Sequence, residues 1–439
     1  MTQYLDEQGL HYIVDKLNEK VTQISENEFE ILSTLSPDCI YAVTETDQRL
    51  IYFNLKAIND GDITITIPSD VNSTYATSIS YSKDKSNWTD TVVDSTNQTI
   101  TIPVVYGDKV YLKGIAKQWA NNTAYTTINS TANIIASGNI MSLLYGDDFE
   151  DKTSFPSGST YNLHGLFDSN THLIAASQLK LPATTLTGYC YSGMFQDCSS
   201  LIFTPELPAT ALAVYCYNGM FQGCSSLTTA PKLPATTLRG YCYSNMFCDC
   251  ISLTSAPELP ATALAGRCYM SMFYGCLSLT SAPELPATTL ADNCYYTMFS
   301  HCTSLTSAPE LPATTLTPRC YLSMFYGCSS LTSAPELPAT ILVDSCYYTM
   351  FQGCSSLTSA PELPATTLVD SCYRGIFYNC TSLNNITMLA EDISASNCLT
   401  NWVRDVASSG TFTKAASMTS LPTGVNGIPN GWTVVDYTA

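Results

Sequence analysis

The residues of this chain whose type and spacing could most readily do chemistry are its nineteen cysteines. Thiols at fixed intervals can pair as disulfides, hold zinc or act as nucleophiles. Sixteen of them form two series, one running Cys190, Cys216, Cys242, Cys268, Cys294, Cys320, Cys346 and Cys372. The other follows eight residues behind, from Cys198 to Cys380, and Cys39, Cys248 and Cys398 stand outside both. The pairs lack the C-x-x-C spacing and histidine clusters that zinc favours. Each ladder cysteine falls where the local pattern buries it, so its expected role is that of a small apolar side chain. The competing reading is an extracellular chain stapled by disulfides.

The other chemistry-bearing residues are sparse. The four histidines, His11, His164, His172 and His301, have no metal or triad context. No phosphate loop or nucleophile elbow is present, so the expectation is a protein without catalysis, cofactor or metal. A row of carboxylates does recur: Glu206, Glu258, Glu284, Glu310, Glu336 and Glu362, interrupted by Lys232. Stacked about 5 Å apart, the last five would repel by about 3 kcal/mol in all before salt screening. They read either as a docking strip for a cation, a basic partner or a glycan, or as a solvated row that keeps the molecule soluble.

These residues are positioned by a repeat. The segment beginning Leu-Pro-Ala-Thr starts at Leu181 and returns every 26 residues through Leu363, eight times. Such a period marks a solenoid, whose units stack because none can bury its own apolar face. Each unit carries three leucines (Leu337, Leu342 and Leu357 in one copy), a Met-Phe pair (Ile376-Phe377 in the last) and a tyrosine after the first cysteine. Cys, Met and Cys lie four residues apart, the spacing of one face of a short helix. The following Leu-Thr-Ser-Ala-Pro-Glu-Leu-Pro segment is extended by its prolines. Leu337-Pro338, Met350-Phe351, Cys354 and Leu357 together resemble the BspA-type leucine-rich repeat, also called Treponema-type, with a unit three residues longer than the common form. The resemblance covers about half the chain and is carried by eight copies that keep phase. The rung barely changes between copies, whereas the residues before the first cysteine and around Met-Phe do. A receptor read by the repeats would therefore be met on the varied face, which includes Tyr296, Arg319, Tyr348 and Arg374.

Five segments are expected. Residues 1–36 form an N-terminal helix with a heptad-like apolar series, Leu10, Ile13, Leu17, Val21, Ile24 and Ile31, suited to anchoring or to a parallel oligomer such as a trimer. Residues 37–117 form a small antiparallel β-sandwich, with strands in LIYFNLKAI, DITITIPS, SISYSKD, QTITIPVV and KVYLKGIA and Trp88 in its core. Residues 118–180 are a transition and a polar N-terminal cap coil, with Asn162 and Asn170 in the cysteine positions. Residues 181–388 are the repeats, and 389–439 a C-terminal cap with a helix at NWVRDV and strands in GTFTK and GWTVVDY. The class is α+β, multidomain.

The net charge of −19 argues against nucleic acid and anionic membranes. No apolar run suits a membrane span, and no secretory signal is visible. The opening YLDEQGLHYIVDKLNEKV resembles the start of phage tail-fibre and virion appendage proteins. That resemblance implies a virion fibre, bound to other virion proteins through its N-terminus and to a host surface protein or glycan beyond. A bacterial cell-surface adhesin is the alternative.

Overall fold

The computed structural model describes residues 51–71 and 75–438, and the expected N-terminal helix with its apolar series lies outside them. The described residues form one compact unit.

The first part of that unit is two sheets sharing one core. Strands β1 (Asn54–Ala57), β2 (Gly61–Ile67), β3 (Ala76–Ser82), β5 (Gln98–Val104) and β6 (Lys109–Ala116) lie in the five segments expected. Their alternating apolar residues face inward: Ile63, Ile65 and Ile67 of β2 are fully buried. Four further strands were not anticipated: β4 (Thr89–Val92), β7 (Thr127–Ser130), β8 (Ile134–Asn139) and β9 (Leu173–Lys180). The larger sheet runs β4-β3-β6-β1-β8-β9 and the smaller β5-β2-β7. The sheets therefore continue past residue 117. β8 and β9 complete the larger one, and their parallel pairing departs from an otherwise antiparallel plan.

Trp88 is not the core tryptophan. It precedes edge strand β4 and lies half-exposed, edge-on to Tyr52 at 5.1 Å. The Lys113 ammonium sits 4.2 Å from its ring. The buried indole is Trp119, whose Nε1 donates to the Leu143 carbonyl at 2.6 Å. That carbonyl belongs to a single helical turn, α1 (Ser142–Tyr145). Apart from it and a 3-10 turn at Gly146–Asp148, the described residues hold no helix, so the chain there is strand and turn rather than α+β.

The repeats show why. Their four-residue spacing is real, but the backbone is a run of tight turns. In the unit from Leu285 to Glu310, the N–H groups of Cys294, Tyr296, Met298, Ser300 and Cys302 donate three residues back, at 3.1–3.3 Å. The intervening N–H groups of Asn293, Tyr295, Thr297, Phe299 and His301 donate to the next unit, at 2.7–3.2 Å. Every fourth residue adopts the left-handed conformation: Asn293 (φ 56°), Thr297 (φ 51°) and His301 (φ 62°). A helix would send all its donors four residues back along its own segment. Here half of them bind the neighbouring coil.

This four-residue geometry buries two positions in every four. Cys294, Met298 and Cys302 line one inner row and Tyr295 and Phe299 another, all at most 1% exposed. Like side chains then pile on one another. The phenylalanines stack from Phe167 to Phe377 at 5.4–5.9 Å between ring centres. The buried tyrosines from Tyr191 to Tyr373 stack at 5.7–6.1 Å. Offset aromatic pairs add to the energy of burial.

The opposite side of each unit is less tightly joined. Pro309-Glu310-Leu311-Pro312 alternates inward and outward as an extended segment does, but each rung carries two prolines that cannot donate. Neighbouring rungs meet only at isolated parallel bridges such as Ser281–Ser307 and Ala263–Thr289.

Both ends differ from expectation. Asn162 and Asn170 in the first coil do not meet solvent; they are at most 1% exposed. Asn170 Nδ2 donates to the Ile128 carbonyl of β7 at 3.0 Å, and the Ile128 N–H donates to Leu166 O at 2.7 Å. The first coil is polar because the sheet domain covers it through hydrogen bonds, while Phe53 packs edge-on against Phe167 at 6.1 Å. At the far end the period runs one coil further. Cys398 stands 26 residues after Cys372 and its carbonyl accepts from the Tyr373 N–H at 3.1 Å. The NWVRDV segment forms the same turns instead of a helix, with Asn397, Asn401 and Asp405 left-handed. Trp402 ends the phenylalanine pile, 6.3 Å from Phe377. Strands β10 (Asn385–Met388), β11 (Thr411–Lys414) and β12 (Thr433–Asp436) close this end as a parallel sheet.

Candidate binding faces of the repeat stack

The eighteen described cysteines are all buried, unpaired thiols. The second series has a defined role. Cys302 Sγ donates to the Phe273 carbonyl of the preceding coil at 3.1 Å, and every member from Cys198 to Cys380 repeats this bond at 3.0–3.1 Å. The Phe273 carbonyl already accepts from the Cys276 N–H at 3.2 Å, so the thiol is a second, weak donor to it. Burial pushes the Cys294, Cys320, Cys328 and Cys372 thiols up to about 12. A thiol so shifted is a poor nucleophile at neutral pH. Cys39 lies outside the described residues.

Two of the histidines are held by aromatic contacts, and His11 lies outside the described residues. His164 packs edge-on to Tyr125 at 4.9 Å, and burial lowers its pKa. His301 is gripped between Tyr274 and Tyr326, 5.4 and 5.1 Å away. Among the described residues, no cluster of three His, Cys, Asp or Glu could hold a metal ion, and no helix is long and apolar enough to cross a membrane.

Two exposed faces remain. On the rung side, Glu206, Glu258, Glu284, Glu310, Glu336 and Glu362 all point into solvent, with Lys232 among them. They occupy the outward positions between a buried or half-buried proline and a buried leucine, as in Glu336 between Pro335 and Leu337. On the turn side, residues four apart again share a surface. Its N-terminal part is a pile of half-exposed tyrosines, Tyr161, Tyr189, Tyr215 and Tyr241, stacked at 4.3–4.6 Å. The Arg267 guanidinium, 5.2 Å from the Tyr241 ring centre, closes the pile. In the C-terminal part, Tyr274, Tyr296, Tyr326, Tyr348 and Tyr378 are half-buried. Arg374 lies 5.5 Å from the Tyr348 ring and Arg404 5.3 Å from that of Tyr378. Arg319 is exposed and approaches Asp344 at 3.8 Å, a weak surface pair. The structure thus gathers Tyr296, Arg319, Tyr348 and Arg374 on the turn side and the glutamates on the rung side.

Sequence reasoning missed Tyr274, Tyr326 and Tyr378. Their signal was a spacing of 52 residues, two full periods. It also missed the outer tyrosine pile, visible as Tyr189, Tyr215 and Tyr241 at single periods.

Stacked turns, an inner thiol row and an extended proline-bearing rung define a leucine-rich-repeat type of architecture. Residues 297–400 match the family model of the BspA type leucine rich repeat region, in six copies. The same 26-residue phase runs back to Leu181. No curated protein and no solved structure matches the chain.

Proposed function

We propose that the protein is a non-enzymatic attachment protein, a repeat solenoid seated on a β-domain that presents its turn side to a cell surface. One observation carries this reading. The turn-side coils are joined by backbone hydrogen bonds, so the outward side chains there are released from structural duty and do vary between copies. BspA-type repeats over residues 297–400 support a surface or adhesin-like role. The finer reading is a phage virion fibre, carried by the fibre-like opening of the sequence, with residues 1–36 as its anchor and trimer-forming helix. A bacterial surface adhesin is the alternative. Labelled protein incubated with a panel of Gram-positive and Gram-negative cells should decorate at least one strain; decoration of none would overturn the attachment reading. Antibody-gold electron microscopy then separates the two carriers, with label on phage particles for one and on bacterial envelopes for the other.

A further inference from the structure

The C-terminal sheet differs from every joint before it. Its order is β10-β11-β12, so among the described residues no strand pairs with the outer edge of β12. One row of side chains runs in register through Ile386, Phe412 and Val434. Ile386 and Phe412 are fully buried, whereas Val434 is 43% exposed. Val435 and Tyr437, on the other face of the same strand, are 44% and 37% exposed. The last unit of a stack ordinarily turns a polar face to solvent. An edge strand is ordinarily shielded by a proline, a lysine or a bulge. β12, Thr-Val-Val-Asp, has neither residue, and it pairs with β11 without a break in register.

Its backbone shows which partner fits. The N–H groups of Thr433 and Tyr437 donate inward, to Gly410 O at 2.9 Å and Lys414 O at 2.8 Å. Alternation along a strand then directs the N–H and C=O groups of Val434 and Asp436 to the open edge. A second copy, turned about a two-fold axis that passes beside Val435, sets Val434 of each chain opposite Asp436 of the other. Both are then hydrogen-bonded pairs of an antiparallel ladder, and all the outward groups of the strand are used. Val435 meets its own counterpart in the pair between them, where side chains lie closest. Thr433 of each chain falls opposite Tyr437 of the other. The same strand thus serves as its own complement, as an isologous contact requires.

Charge favours a second copy at this place and opposes it elsewhere. The chain carries a net −19, and its rung side is a row of carboxylates. Residues 406–439 hold only Lys414 and Asp436, which pair with each other. Two copies can therefore approach through this neutral stretch without setting like charges against one another.

We propose that β12 is a self-association edge, through which two copies join as antiparallel strands about a two-fold axis at Val435. The two three-stranded sheets become one sheet of six. This pairing is independent of the attachment reading and of any oligomer formed through residues 1–36. It gives each assembly two repeat stacks, so that weak contacts are made in pairs. The test uses the full chain at concentrations spanning the micromolar range, as suits a contact this small. In sedimentation equilibrium, Val435→Lys, which sets two ammonium groups against each other, has half the mass of wild type. Glu310→Gln keeps the wild-type mass. Val435 is exposed, and an unchanged circular dichroism spectrum shows that its variants are folded. Val435→Cys in a Cys39→Ser background gives a disulfide-linked pair of chains on mild oxidation, since the ladder thiols are buried. Equal masses for wild type and Val435→Lys would leave the edge to a strand of some other protein and overturn the proposal. So would the absence of a cross-linked pair.

Discussion

The two sides of each coil are joined by different means. On the turn side the unit from Leu285 to Glu310 sends five backbone N–H groups into the next coil, at 2.7–3.2 Å. On the rung side the same unit reaches its neighbour through Thr288, Thr289 and Thr306, at 3.2–3.4 Å. The side with the stronger backbone bonding is the one whose surface sequence drifts. The side with few bonds keeps its sequence almost fixed. Where backbone atoms do the joining, any side chain that tolerates the local φ and ψ is acceptable. Where prolines have removed the donors, contact depends on leucine, alanine and proline filling their places. Uniformity here reports dependence on side chains, and variation reports independence from them.

Titration tests this contrast with the largest expected effect. All the buried thiols of the repeats belong to the turn side. Their pKa is raised from 9.0, to about 12 for Cys294, Cys320 and Cys372. Between those values the folded chain holds protons that the unfolded chain releases. The stabilisation is therefore complete below pH 9.0 and is lost as pH rises toward 12, by about 1.4 kcal/mol per pH unit for each thiol. Acting together, the ladders should give cooperative unfolding near pH 10, followed by circular dichroism. A signal unchanged to pH 12 would contradict the buried ladders.

Next comes Phe299→Ala. Phe299 is fully buried between Phe273 and Phe325, at 5.5 and 5.7 Å. Its truncation should cost about 3–5 kcal/mol in denaturant unfolding. A smaller change follows from Gly327→Ala, which strains the backbone of the turns alone. Gly327 has φ +73°, and an added Cβ would sit 2.8 Å from His301 Nδ1. A loss of about 1–2 kcal/mol is expected, and none would mean that the turns are not left-handed there. The smallest effect belongs to the rung side. Glu362→Gln, which removes one of the four repulsive contacts in the row, should stabilise the chain at low salt by no more than about 1 kcal/mol, seen as a slightly raised melting temperature, and the gain should fade at high salt. A salt-independent gain would show that the row does more than repel itself.

The period, the inner rows and five of the nine strands of the sheet domain were readable in the sequence, because each leaves an apolar pattern. The turns were misread as helix because a four-residue spacing suits both backbones. What distinguishes them is a residue placed for left-handed φ at every coil: Asp197, Gly223, Asp249, Gly275, His301, Gly327, Gly353 and Asn379 all share one position. Glycine, asparagine and aspartate enter that region most easily. Cys398 was separable by arithmetic alone, since it keeps the 26-residue step. The polar first coil was foreseen, but not its burial, which depends on β7 lying across it. Trp88 followed the expectation that tryptophans go inside, whereas its place beside an edge strand leaves it half outside. Strands β8 and β9 escaped notice because their pairing spans the intervening cap coil. The candidate face residues could be named individually; their gathering on the turn side needed the coil geometry.

The identity of the joints between coils has one more consequence. Removing residues 285–310 would join Glu284 to Leu311, the same dipeptide already found at Glu284-Leu285 and Glu310-Leu311. The bonds crossing the new seam would match those crossing the old one. A gene encoding such a chain can lose or gain copies in whole steps, shortening or lengthening its reach while both ends and the sheet domain stay as they are.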